Sequence, residues 1–119
     1  MSVMEATVHH LKLRPEPYEK IKSREKTIEL RLYDEKRQAI KVDDEIIFTN
    51  TATGETLHTK VIRLHCFHNF AELYASLPLL KCGYTPEDVG MATPDDMEQY
   101  YSAEKQSQYG VVGIELVLM

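Results

Sequence analysis

Residues 23–37 read S-R-E-K-T-I-E-L-R-L-Y-D-E-K-R, from Ser23 to Arg37, the most densely charged stretch of the chain. Inside it the residue types alternate. Ile28, Leu30 and Leu32 share one parity, and Thr27, Glu29, Arg31 and Tyr33 share the other. A period of two belongs to a β-strand, whose successive side chains leave opposite faces of the sheet. The pattern predicts a half-buried strand over residues 26–32, its aliphatic side in the core and its other side polar. That polar side has two readings: one wall of a polar binding site, or a solvated face whose ion pairs contribute little. Glu29 and Arg31 stand two apart on one face, with Cβ atoms roughly 7 Å apart. Arg31 can therefore fork onto Glu29, a carbonyl or a phosphate. Lys26 has the opposite parity and can join them only from the turn that precedes the strand.

Working outward, E-A-T-V-H-H-L-K-L (residues 5–13) reads as a first strand, stopped by Pro15 and Pro17, which cannot donate to a ladder. The same prolines suit the first turn of a short helix, with Tyr18 and Ile21 as its apolar stripe and an end near Ser23. Beyond the charged stretch, residues 34–41 predict a loop with a helical turn. E-I-I-F-T (45–49) predicts a strand and T-A-T-G-E (51–55) a turn. Thr56 to Cys66 predicts a long strand, and Leu57, Val61 and Leu64 do not hold one parity, which predicts a bulge. Asn69 can cap a helix to Leu77, with Glu72 placed to reach back and Phe70, Leu73, Tyr74 and Leu77 as its buried stripe. Thr85-Pro86 and Thr93-Pro94 have the form of helix starts, the second carrying Met97, Tyr100 and Tyr101 inward. Ser102 can restart helix as far as Gly110. In V-V-G-I-E-L-V-L, Val112, Ile114, Leu116 and Leu118 alternate like a core-facing strand. Strands that neighbour one another without repeated helical crossovers favour a mixed α+β, mainly β architecture. The expected fold is a small curved-sheet barrel of about five strands with short helices at its ends.

At 119 residues one domain spanning 1–119 is expected, and 43% hydrophobic residues suffice for its core. No apolar run approaches the roughly 20 residues of a membrane span. The first residues lack the basic and apolar regions of a secretory signal, and only Cys66 and Cys82 are present, so reduced thiols and a cytoplasmic location are expected. Net charge is −5, which opposes indiscriminate nucleic-acid binding, but the charge is unevenly spread. From Lys12 to Lys41 ten basic residues face six acidic ones, leaving that segment at +4 and the remainder at −9. A basic lobe on an acidic protein suits a specific anionic ligand such as one strand of RNA. His65-Cys66-Phe67-His68 lacks the spacing of a metal site, so no metal and no cofactor are expected. The common nucleophile and phosphate motifs are absent.

Lys26-Thr27-Ile28-Glu29-Leu30-Arg31 also resembles the signature of the ASCH domain (activating signal cointegrator homology), a branch of the PUA-like superfamily. That family carries G-x-K-x-x-E-x-R after its first helix. Lys26, Glu29 and Arg31 match its last three positions, and its glycine falls on Arg24. A second family feature, Gly-Asp leading into an I-x-F strand, reads Asp43-Asp44-Glu45-Ile46-Ile47-Phe48, with Asp43 in place of the glycine. The segment Y-Y-S-A-E-K-Q-S-Q-Y-G-V-V-G-I (100–114) is similar to small bacterial members. The resemblance implies a PUA-like barrel whose cleft is lined by the motif and binds RNA or a modified nucleoside. The candidate ligand-binding residues are Arg24, Lys26, Thr27, Glu29, Arg31 and Tyr33, the last as a stacking ring. Some relatives are amidohydrolases that deacetylate N4-acetylcytidine, with a threonine nucleophile three residues after the lysine; that position is Glu29 here. A hydrolase, on N4-acylated cytidine or as a ribonuclease, would use Lys26 and Glu29 as its catalytic pair, with Glu29 activating water. A protein-interaction domain is the third reading, with the motif bracing the barrel.

Overall fold

The computed structural model describes residues 6–119. Glu5, expected in the first strand, and the reading of the first residues as free of a leader lie outside them. The five strands are β1 (Val8–Leu13), β2 (Ile28–Leu32), β3 (Glu45–Asn50), β4 (Thr56–Phe67) and β5 (Val111–Leu118). They form one sheet in the order β1-β3-β4-β5-β2. β1 and β3 run parallel, and the other neighbours are antiparallel. The sheet curls into a half-barrel, mixed α+β and mainly β, of the PUA-like type. Among the described residues four short α-helices decorate it: α1 (Pro15–Lys22), α2 (Glu35–Gln38), α3 (Phe70–Ser76) and α4 (Ala103–Tyr109).

The expected bulge in β4 is present, between Val61 and Arg63, where the register against β5 shifts by one residue. It lets a twelve-residue strand serve both β3 and β5 while bending the sheet. Several caps form as the sequence predicts. The Asn69 side chain accepts from the Glu72 N–H, and Ser102 accepts from the Lys105 N–H. The Glu72 carboxylate does not complete a capping box, because it meets His68 Nδ1 at 2.8 Å instead. Thr93 and Asp96 do form a reciprocal box, but the segment they open, Pro94–Met97, is a single 3-10 turn. After Thr85-Pro86 the chain likewise makes only a turn and a short 3-10 piece, Val89–Met91. Neither segment carries enough apolar residues to hold a longer helix against the sheet.

The two faces of β2 are used in the opposite sense from the simplest reading of its alternation. Directly opposed residues of paired strands share a face, and Glu29 lies opposite Ile114 and Arg31 opposite Val112. Those β5 residues belong to the inner core with Leu11, Leu13, Tyr18, Ile46, Phe48 and Val61. Glu29 and Arg31 thus project from the inner face of the half-barrel. Ile28, Leu30 and Leu32 project outward, where Phe70, Leu73, Cys82 and Val111 cover them in a second core. Both sides of the strand are therefore enclosed. Gly113 makes the outer packing possible: a Cβ there would come within 2.7 Å of Leu77 and 3.1 Å of Ile28. Tyr100, expected to face inward, is 51% exposed.

Among the described residues two non-glycine residues have left-handed backbone, Arg24 at φ +70° and Asp43 at φ +77°. They are the two positions at which the ASCH pattern has glycine. Aspartate tolerates this region better than arginine, for which it costs about 1–2 kcal/mol. Glycine would remove that cost while adding about 0.5–1 kcal/mol of unfolded-chain entropy to be lost. Arg24→Gly is therefore expected to raise stability by about 0.5–1 kcal/mol, read as the midpoint of urea unfolding. Arg24→Ala should show no such gain.

Candidate functional site

β2 is an edge strand, and so is β1. Thr27 C=O accepts from Leu116 N–H, and Tyr33 N–H donates to Gly110 C=O. Backbone groups of the odd-numbered residues of β2 thus face β5, and those of Ile28, Leu30 and Leu32 face away from it. On β1, Thr7 and Leu13 carbonyls serve the β3 side, which turns the Lys12 carbonyl outward. Arg31 Nη2 donates to that carbonyl at 2.8 Å and so bridges the two free edges of the half-barrel.

Glu29 holds this bridge in place. Arg31 Nε donates to its Oε2 at 2.7 Å, and Lys26 Nζ meets its Oε1 at 2.8 Å. Lys26 reaches in from the residues before the strand, as its parity requires. All three side chains are about nine-tenths buried. Burial pushes the Glu29 carboxyl up, but the Lys26 and Arg31 charges and their hydrogen bonds outweigh it and hold the group below the ordinary carboxylate range. Glu29 is a fixed anion, weakly basic, with each oxygen engaged by a cation. Gly83 (φ +111°) packs against Lys26, since a Cβ there would lie 3.2 Å from Lys26 Cδ. The Gly83 carbonyl accepts from Lys20 Nζ at 2.7 Å. Lys20, Lys26 and Arg31 are thereby strung along one wall, separated by acceptors.

That wall bounds a cavity of about 540 Å³. Its cations are Lys12, Arg14, Lys20, Lys26 and Arg31, against Glu16, Glu29, Asp88 and Asp96. The lining also includes four tyrosines, Tyr74, Tyr84, Tyr100 and Tyr101, residues the sequence did not single out for a site. Tyr84 donates to Asp96 Oδ2 at 2.7 Å and lies 2.6 Å from the Tyr74 hydroxyl. Because the Tyr84 proton is committed to Asp96, Tyr74 is the donor in that pair. Burial, and then these hydrogen bonds, push the Tyr84 phenol up. The Tyr101 ring stacks on Phe70 at 6.1 Å, and Arg14 sits 5.6 Å over the ring of Tyr100. Cys82 also lines the cavity, its thiol pushed up to about 11 by burial.

Of the candidate ligand residues, Lys26, Glu29 and Arg31 line this cavity together. Arg24 and Thr27, with Lys26 again, line a second cavity of about 260 Å³. Tyr33 lines neither and packs on the inner core. Sequence reasoning places Tyr74, Tyr100 and Tyr101 in the core and gives Tyr84 no role, because the four come from segments far apart in sequence and only the capping pattern at Thr93–Asp96 marks their neighbourhood. His65 and His68 are paired to Glu115 and Glu72. Among the described residues no cluster of three or more His, Cys, Asp or Glu is placed to hold a metal.

A buried carboxylate held low contributes stability that is full above its unfolded value of 4.5 and is lost as pH falls through its lower folded value. Asp44 and Glu115, also held low, act in the same sense. Glu29→Gln removes the countercharge of two buried cations and is expected to cost about 3–5 kcal/mol at neutral pH. Urea denaturation at a series of pH values should also give a shallower acid limb for the variant. Equal limbs in both proteins would remove Glu29 from this account.

No curated protein matches the chain at a significant level. Among solved structures, the crystal structure of hypothetical protein PH0355 is 33% identical over 95% of this chain and 100% of that one, with a TM-score of 0.79. The solution NMR structure of protein PF0455 from Pyrococcus furiosus is 32% identical over 95% and 98%, with a TM-score of 0.71. The crystal structure of ASCH from Zymomonas mobilis shares the fold at 12% identity and a TM-score of 0.65, over 93% of this chain and 67% of that one. With the ASCH domain model matching residues 11–119, from β1 through the ion-paired strand to the end of β5, the chain belongs to the ASCH domain family.

Proposed function

We propose that this ASCH domain is a binding module for RNA, holding one unpaired nucleoside of the strand in the cavity lined by β2 and the tyrosines. The observation that carries the reading is the buried Lys26–Glu29–Arg31 array, which lines a cavity of about 540 Å³ together with four tyrosines. The volume suits a small-molecule or nucleoside site, which runs from roughly 300 to 1,000 Å³. Unstacked bases are bound on aromatic rings and by hydrogen bonds to their edges. Lys26 and Arg31 supply donors, and the Tyr74 oxygen supplies an acceptor. The role of Glu29 is positional: it fixes both cations and neutralises part of their charge, which favours a base edge over a bare phosphate at this wall.

A hydrolase is the second reading, and what favours it is a lysine retained beside a carboxylate inside a cavity. The same pairing weighs against it. A carboxylate engaged by two cations and held below its ordinary range is a poor acceptor of a proton from water. Incubation with N4-acylated cytidines should release no cytidine; turnover with any acyl group would restore Lys26 and Glu29 as a catalytic pair.

Fluorescence polarisation with a labelled, mixed-sequence single-stranded RNA tests the binding reading at two salt concentrations. Arg31→Ala is expected to weaken binding, but it also removes the bridge between the sheet edges. Tyr100→Ala is the cleaner variant because the ring is half exposed, and loss of one stacking ring should lower affinity about tenfold. Unchanged affinity in both variants would overturn the cavity as the site. Empty ligand screens, with only melting temperatures lowered by Lys26→Ala and Glu29→Ala, would favour the protein-interaction reading.

A further inference from the structure

The second cavity shares a wall with the first. Lys26 lines both, and the remaining lining is Ile21, Arg24, Thr27, Leu116, Val117 and Leu118. Its composition differs from that of the main cavity in one respect that bears on ligand chemistry. The main cavity nearly balances its cations with carboxylates, whereas the second has Arg24 and Lys26 and no carboxylate in its lining, and Lys26 is already paired to Glu29, which leaves the Arg24 charge uncompensated. Its other surfaces are aliphatic, with the Thr27 hydroxyl between. A ligand suited to it has a flat or apolar part for Ile21, Leu116 and Leu118 and a negative charge for Arg24.

Arg24 is the unusual residue of this set. It is exposed, it adopts φ +70°, and its side chain has no ion-pair or hydrogen-bond partner among the described residues, while neighbouring Lys20 and Lys26 are both engaged. A strained arginine, where glycine would be unstrained, contributes nothing to folding through such contacts. The left-handed conformation belongs to the turn that ends α1, where Arg24 N–H donates to the Ile21 carbonyl; an arginine in a place that suits glycine points to use of its side chain by a ligand.

We infer that the second cavity is a subsite for the nucleotide adjoining the one held in the main cavity, with Arg24 gripping the phosphodiester between them. The inference rests on the RNA reading above and makes the ligand a strand and not a free nucleoside. Base recognition and phosphate recognition are then divided between the two cavities, on either side of Lys26.

Arg24→Gly tests it, because glycine keeps the backbone conformation and removes only the side chain. Polarisation titrations with a labelled mixed-sequence RNA hexamer are expected to show about tenfold weaker binding by this variant. The dependence of log affinity on log salt should also fall by about 0.7, the loss of one phosphate contact on a single strand. Arg24→Lys should recover part of the affinity. Lys36→Ala removes the same charge from α2, lines neither cavity, and should leave affinity within twofold. Hexamer binding by Arg24→Gly within twofold of the unsubstituted chain, or an equal loss in Lys36→Ala, would overturn the subsite and leave the main cavity standing. An unsubstituted chain that binds no hexamer would overturn the RNA reading itself, and the subsite with it.

Discussion

A carboxylate buried on the inner face of an edge strand cannot remain there alone. Glu29 is charged because Lys26 and Arg31 reach it, and their positions follow from that need. Lys26 must come from the turn before β2, since its own parity would carry it away. Arg31, two residues on, shares the face and has a planar fork long enough to hold Glu29 with one nitrogen and the Lys12 carbonyl with another. One buried anion thereby sets the shape of the turn, the orientation of the arginine and the spacing of the two free sheet edges. The cavity exists because those edges are bridged by a side chain and not joined by a ladder.

The array is a poor source of stability. Desolvation of three charges roughly cancels their attraction, whereas each aliphatic side chain buried on the outer face contributes about 1.5–3 kcal/mol. Ile28, Leu30 and Leu32, packed on Phe70, Leu73 and Val111, hold the strand in the sheet. The outer face supplies the free energy, and the inner face spends its positions on polar groups. Gly113 and Gly83 serve this division, the first by admitting Leu77 to the outer core and the second by letting the chain close over Lys26. Buried Gln106 ties the segments beyond, accepting from Phe70 N–H and donating to the Tyr101 carbonyl, so that Tyr101 is braced against α3.

Much of the fold was legible because its signals are local. Alternation marked β2 and β5, proline and threonine marked turns and caps, and the broken parity of Leu57, Val61 and Leu64 marked the bulge. The failures share a cause. Thr85-Pro86 and Thr93-Pro94 carry the signals of a helix start, but a start does not fix a length, which depends on what the following residues can bury. Tyr100 has helical spacing from Met97, but the 3-10 segment ends at Met97 and Tyr100 lies in the turn beyond it, so the same spacing points elsewhere. The tyrosines of the candidate site carried no common signal, since Tyr74, Tyr84, Tyr100 and Tyr101 meet only when α3 and the 3-10 turns fold over β2.

By itself the sequence determined that β2 is a strand, that Glu29 and Arg31 share one face, and that Lys26 must join them from a turn. These are consequences of a two-residue period and need no neighbour. Which face points inward is not a local property. Aliphatic residues of one parity can pack against a sheet interior or beneath a covering helix, and hydrophobic burial is satisfied equally by either. Pairing with β5 settled it, by placing Glu29 opposite Ile114 and Arg31 opposite Val112 and covering Ile28, Leu30 and Leu32 with α3. The polar face that reads as either a binding-site wall or a solvated surface is thereby turned inward, with Glu29 buried between Lys26 and Arg31.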